Sequence, residues 1–125
     1  MRMNKIIHPS FIREDTRGIF IEAFNKGNWK QIVYGNMKKA AVMGNHYHKL
    51  TDVLFFVVKG RVKINLLNIK TAEEATVSLS KHQGIILKRD TSHVVKFLED
   101  SIFVMCKSRR YNMSYPDTYH LTKNY

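Results

Sequence analysis

The sequence predicts a single all-β domain, a small barrel or sandwich. Three observations carry this expectation. Short runs rich in β-branched and aromatic residues recur along the chain. Brief turn signals separate them at regular spacing. No helical periodicity of 3.6 residues persists beyond two turns.

The strands follow in order. Ile19–Phe24, Ile32–Tyr34 and Ala40–Met43 are the first candidates. Val53–Val58, Ile85–Leu87 and Ile102–Cys106 are continuous apolar runs, too short for independent helices, and read as strands buried on both faces. Arg61–Leu66 and Thr76–Ser80 alternate polar with apolar residues, as strands with one wet face do. Turns are expected at Asp15-Thr16-Arg17-Gly18, Lys26-Gly27-Asn28, Lys59-Gly60, His82-Gln83-Gly84 and Glu99-Asp100-Ser101. Short helices are expected only at Thr71–Ala75 or near Tyr115–Thr122. There is no repeat, linker or low-complexity stretch, so residues 1–125 read as one domain.

Composition narrows the function classes. With 44% apolar and 11% aromatic residues, and only 2 Pro and 6 Gly, the chain can build one core and is not a disordered or fibrous sequence. No run approaches the ~18 apolar residues that span a bilayer, and Ile6-Ile7 is too short for a signal-peptide core. The one cysteine, Cys106, lies in an apolar strand and reads as a buried, inert thiol. A cytoplasmic protein without a membrane segment is the expectation. Lys and Arg number 21 against 10 Asp and Glu, a formal charge of +11, which favours anionic partners. The basic residues are scattered, with no block resembling a nucleic-acid arm, so a small phosphorylated ligand or a plainly solvated surface is expected rather than nucleic acid.

The chemistry centres on Gly44-Asn45-His46-Tyr47-His48-Lys49. Residues two apart on a strand share a face, so His46 and His48 project together. Two inward imidazoles serve as metal ligands or as a general acid–base pair. A third histidine, His93, precedes Val94-Val95 and could join them. His8, His82 and His120 stand outside any constellation and read as surface residues.

With Gly44, His46, His48, Gly60 and His93 in place, the sequence resembles the cupin superfamily, which implies a jelly-roll β-barrel. The resemblance fails at one position: the metal-binding Glu of that pattern falls on Val53, and Asp52 beside it should face the other way. The Pro and Gly of the second cupin motif are also missing, with Lys88 and Asp90 in their places. A divalent ion on His46, His48 and His93 is therefore the alternative to a metal-free site.

Asp15-Thr16-Arg17-Gly18-Ile19-Phe20-Ile21-Glu22 resembles a segment of the dTDP-4-keto-6-deoxyhexose 3,5-epimerases. Gly44-Asn45-His46-Tyr47 is similar to the stretch that carries their base. His46-Tyr47-His48-Lys49, and the tail from Tyr111 to Tyr115-Pro116-Asp117-Thr118-Tyr119, resemble the related 3,4-ketoisomerases. Two departures stand out: Met43 replaces an expected phosphate-binding Arg, and Cys106 aligns with the epimerases' catalytic Tyr. The resemblance thus implies ketoisomerase-like chemistry without a cofactor, on a dTDP-sugar of surface polysaccharide synthesis. His46 and His48 would be catalytic, and Arg17, Lys49, Arg89, His93 and Tyr111 would bind substrate.

The chemistry suits these residues. A 4-keto group acidifies the neighbouring ring hydrogens, a neutral imidazole removes one, and proton return elsewhere gives an isomer or epimer. Two alternatives stay open: a metal-dependent cupin (an oxygenase or lyase), or a cupin that binds sugar nucleotides without turning them over. The resemblance also implies a homodimer, with Ile6, Ile7, Phe11 and Ile12 available as an exchanged or edge strand.

Overall fold

The computed structural model describes residues 5–121. Eleven strands form, and no helix does among the described residues. They are β1 (Phe11–Asp15), β2 (Gly18–Glu22), β3 (Gln31–Met37), β4 (Val42–Tyr47), β5 (Val53–Lys59), β6 (Arg61–Asn68), β7 (Glu74–Ser80), β8 (Gln83–Leu87), β9 (Thr91–Phe97), β10 (Ser101–Lys107) and β11 (Tyr119–His120).

All pairings are antiparallel. One sheet runs β3-β10-β5-β8, the other β11-β4-β9-β6-β7, and β1-β2 is a separate hairpin. The two larger sheets face each other across the core, where period-2 alternation brings Phe55, Val57, Ile64, Leu79, Val95 and Phe103 together. Phe55 stacks on Phe103 with centroids 5.1 Å apart.

β5 is buried on both faces, as its unbroken apolar run implies. Val53, Phe55 and Val57 belong to the core. Leu54 and Phe56 point the other way, into an apolar cleft closed by Ile21 and Ala23. β10 alternates instead: Phe103 and Met105 face the core, while Val104 and Cys106 line that outer cleft.

Neither expected helix is present. At 71–75 the chain turns, because the Asn68 side chain accepts from the backbone N–H groups of Lys70 and Thr71, and β7 begins at Glu74. Over 115–121 the chain is irregular and then pairs as β11; Thr122 lies outside the described residues. Besides β11, two strands exceed the expectation. β1 completes a hairpin through the Asp15–Gly18 turn, and β9 runs from Thr91, so His93 sits inside a strand. Ile7 bridges to Gly84 of β8, and Phe11 and Ile12 lie in β1 of the exposed hairpin.

Candidate active site

The site begins with a glycine. Gly44 has φ +102°, and a Cβ there would lie 2.6 Å from the His93 carbonyl oxygen, so no other residue lets β4 and β9 approach this closely. A bulge follows, with Asn45 at φ +66°. It places His46 directly opposite His93 in the ladder.

His48 follows just past the end of β4 and turns inward beside them. Ring centroids are 4.7 Å apart for His46–His93, 5.1 Å for His46–His48 and 5.8 Å for His48–His93. One ligand atom from each of the three lies within 4.8 Å of the others.

The C-terminal tail holds this arrangement. The backbone carbonyl of Asp117 lies 2.7 Å from His48 Nδ1. A carbonyl oxygen only accepts, so Nδ1 carries a proton and donates it to this bond. The Asp117 carboxylate accepts from the N–H groups of Lys49 and Leu50 and from the Thr51 hydroxyl, at 2.7 to 3.0 Å. Burial alone would raise the Asp117 pKa, but these donors outweigh it and hold the carboxyl below its ordinary value. The loop after His48 is thereby tied to the tail.

Burial sets the protonation state of the other two imidazoles. It pushes the His46 pKa down to about 4, helped by the positive fields of His48, His120 and Lys107. His93, more deeply enclosed, is pushed to about 3, first by burial and then by His46 and His48. Both rings are neutral at neutral pH, with lone pairs available to a proton or a metal.

The cavity over the histidines is small, about 80 Å³, and is lined also by Met43, Val53, Met105 and Lys107. A ligand of any size must extend through its mouth. Val53 supplies no carboxylate, and Asp52 is engaged by Arg89, whose Nη2 lies 3.3 Å away. Lys107 is the cation at this cavity. Strand alternation turns Met105 and Lys107 inward and Cys106 outward, so the thiol expected in a catalytic tyrosine's position lies on the opposite face of the sheet.

The expected binding residues are divided by the fold. Tyr111 shares a cleft with His48 and Lys107. Lys49 sits at the rim, its Nζ 4.2 Å from the Tyr119 ring centroid, and Tyr119 stacks on Tyr47. Arg89 does not line the histidine cavity. Arg17 does not either: it closes its own turn through two bonds from its guanidinium and one from its backbone to Asp15.

Sequence reasoning missed Lys107, Asp117 and His120. His120, expected as an isolated surface residue, is exposed but pairs with His46 in the β11–β4 ladder, with its ring 6.1 Å away. Period-2 counting inward from Phe103 would have found Lys107. No local signal marks Asp117, whose partners are 66 to 69 residues distant.

Comparison with known proteins places this architecture. The chain is similar in structure to a dTDP-4-dehydrorhamnose 3,5-epimerase from Sulfolobus tokodaii, with TM-score 0.78 and 24% identity over 90% of this chain and 73% of that one. It is similar to QdtA, a sugar 3,4-ketoisomerase from Thermoanaerobacterium thermosaccharolyticum in complex with TDP, with TM-score 0.78 and 20% identity over 98% and 91% of the two chains. It also matches the capsular polysaccharide assembling protein CapF from Staphylococcus aureus, with TM-score 0.70 and 24% identity over 89% of this chain. This chain spans about a third (34%) of that CapF chain. No curated protein sequence matches it. The fold is that of the cupins, as the resemblance implied. The model of the polysaccharide biosynthesis C-terminal domain family matches residues 13–119, and the chain belongs to that family.

Proposed function

We propose that this protein is a nucleotide-sugar isomerase or epimerase that moves a proton on a dTDP-4-keto-6-deoxyhexose during surface polysaccharide synthesis. One observation carries the reading: the neutral imidazoles of His46 and His93 converge with His48 in a small open-mouthed cavity that Lys107 also lines. The family supports polysaccharide chemistry, and similar folds include an epimerase and a ketoisomerase.

In this reading His46 takes the proton from the ring carbon beside the ketone. The bonding pair moves into the ring, and the carbonyl oxygen becomes an enolate. An imidazole held near pKa 4 is a weak base, so the enolate needs strong stabilisation. Lys107 supplies positive charge at the cavity for that purpose. The proton then returns to the opposite face, giving an epimer, or to the former carbonyl carbon after proton exchange between the two oxygens, giving the shifted ketone. His48, its ring fixed through Nδ1 by the Asp117 carbonyl, is the second proton carrier.

The test is exchange of ring hydrogens of a dTDP-4-keto-6-deoxyhexose in D₂O, followed by NMR. Exchange abolished by His46→Asn supports the reading. Binding of dTDP with no exchange on any 4-keto sugar replaces it with a binding module.

The three-histidine geometry also favours a second reading. Three imidazole nitrogens within 4.8 Å fit a divalent ion such as zinc with positions left open. His46, His48 and His93 would hold it, and it would polarise the keto oxygen as a Lewis acid. Metal analysis of purified protein decides: a stoichiometric ion removed only by strong chelators establishes this form, and its absence leaves Lys107 as the source of positive charge.

The working unit in this proposal is a cytoplasmic homodimer. Phe11, Ile12, Ile19 and Phe20 of the hairpin are each about half exposed, an apolar surface that a second copy would cover. Among the described residues no helix is long and apolar enough to cross a membrane.

A further inference from the structure

Among the described residues four cations sit in ion pairs, and many of the others stand unpaired at scattered positions. Arg17, Arg61, Lys70 and Arg89 are each paired with a nearby carboxylate. Of the unpaired ones among the described residues, Lys30, Lys107, Arg109 and Arg110 are set apart by lining one run of adjoining clefts.

Lys107 and His48 line both the histidine cavity and the cleft next to it. That cleft adds Arg109, Arg110 and Tyr111, and the same three residues line a larger open cleft that ends on Lys30. The larger cleft, of about 920 Å³, lies within the range of small-molecule sites, roughly 300–1,000 Å³, whereas the histidine cavity is far below it. Among the described residues Asp117 is the one carboxylate lining the path, and its oxygens are taken by Lys49, Leu50 and Thr51. The Arg109 guanidinium lies 5.3 Å above the Tyr115 ring. Face contact of this kind leaves the in-plane N–H donors free.

The gradient therefore runs from a small cavity that admits a neutral group, past one ammonium, to two adjacent guanidiniums. Planar forks of this type pair with phosphate oxygens two at a time. The side chains expected for this task are elsewhere: Arg17 and Arg89 are held by Asp15 and Asp52, and Met43 offers no charge. We propose that Arg109 and Arg110 form the diphosphate site for a nucleoside diphosphate sugar, whose sugar ring enters the histidine cavity past Lys107 while its nucleoside lies in the open cleft toward Lys30. The inference rests on the nucleotide-sugar reading above and adds where the diphosphate is held.

Calorimetric titration of the full-length protein tests it, with dTDP, inorganic pyrophosphate, inorganic phosphate and thymidine as probes. The expected result is binding of dTDP and pyrophosphate that weakens as salt is raised. Arg109→Gln/Arg110→Gln should weaken both at least tenfold, while Arg61→Gln, outside the path, leaves them unchanged. If the double variant loses its melting transition, the exposed Arg110→Gln alone gives the same reading with a smaller loss. Unchanged dTDP affinity in a folded double variant overturns the subsite and leaves the nucleotide-sugar reading intact. Inorganic phosphate binding as tightly as dTDP overturns it too, since it marks a general anion site. If the wild type binds no probe, the subsite is wrong, and histidine-dependent exchange then judges the reading by itself.

Discussion

His48 Nδ1 donates to the backbone carbonyl of Asp117 across 69 residues of sequence, at 2.7 Å. The contact fixes the His48 ring, and the Asp117 carboxylate holds the carbonyl in place by capping Lys49, Leu50 and Thr51.

Asp117→Ala removes those three bonds while leaving the carbonyl in the chain. Hydrogen bonds to a charged group contribute ~1.5–3 kcal/mol each, less where water replaces them, so a loss of roughly 2–4 kcal/mol is expected. Thr51→Val should cost about 1 kcal/mol. Denaturant melts measure both. Ring-hydrogen exchange should fall further in Asp117→Ala than in Thr51→Val, because only the former frees the His48 ring.

Gly44→Ala should be among the most damaging single-methyl changes. The new Cβ meets the His93 carbonyl at 2.6 Å in a backbone conformation that side chains disfavour. Strain and overpacking together predict a loss of roughly 2–4 kcal/mol. Thermal melts check the stability, and proton NMR of the histidine rings checks whether His46 and His93 separate.

Stability should fall with acid as the two buried histidines are forced to take up protons. The folded pKa values of His46 and His93, about 4 and about 3, lie below the ordinary 6.5. Between these limits the unfolded chain binds more protons, so stability is full above pH ~6.5 and declines as pH drops toward 4. Melting temperatures across this window should show the decline, with a shallower slope in His46→Gln. By the same shift, the acidic limb of kcat/KM should lie well below pH 6.5.

Val53→Glu puts a carboxylate into the histidine cavity, where Val53 is 2% exposed. The variant without metal should melt lower, because the new charge is buried. Zinc should restore its stability and bind at least tenfold more tightly than to the wild type, as titration against a competing chelator would show.

Much of this fold was legible because alternation survives wherever one strand face is wet. β6 and β7 show it plainly. β1 was hidden because its hairpin is exposed on both faces, so Phe11-Ile12-Arg13-Glu14-Asp15 has no apolar stripe. β9 was missing from the expected strands because it opens with buried Thr91, Ser92 and His93, polar residues whose inward direction only the sheet determines. The histidine pair was readable from its spacing of two. Lys107 was not, because it ends a continuous apolar run that gives no clue to facing. Arg17 was readable as a phosphate ligand or a turn residue, and the local Asp15 contact is the one this chain forms.

The central claim is that His46 moves a proton on a keto sugar. Its most direct test is the rate at which a dTDP-4-keto-6-deoxyhexose gains deuterium at the carbon beside the ketone, with wild type, His46→Asn and Lys107→Met in parallel. The account predicts exchange by the wild type, loss of at least a hundredfold in His46→Asn, and a large fall in Lys107→Met, with dTDP still bound by all three. Wild-type exchange that persists undiminished in a folded His46→Asn would contradict it.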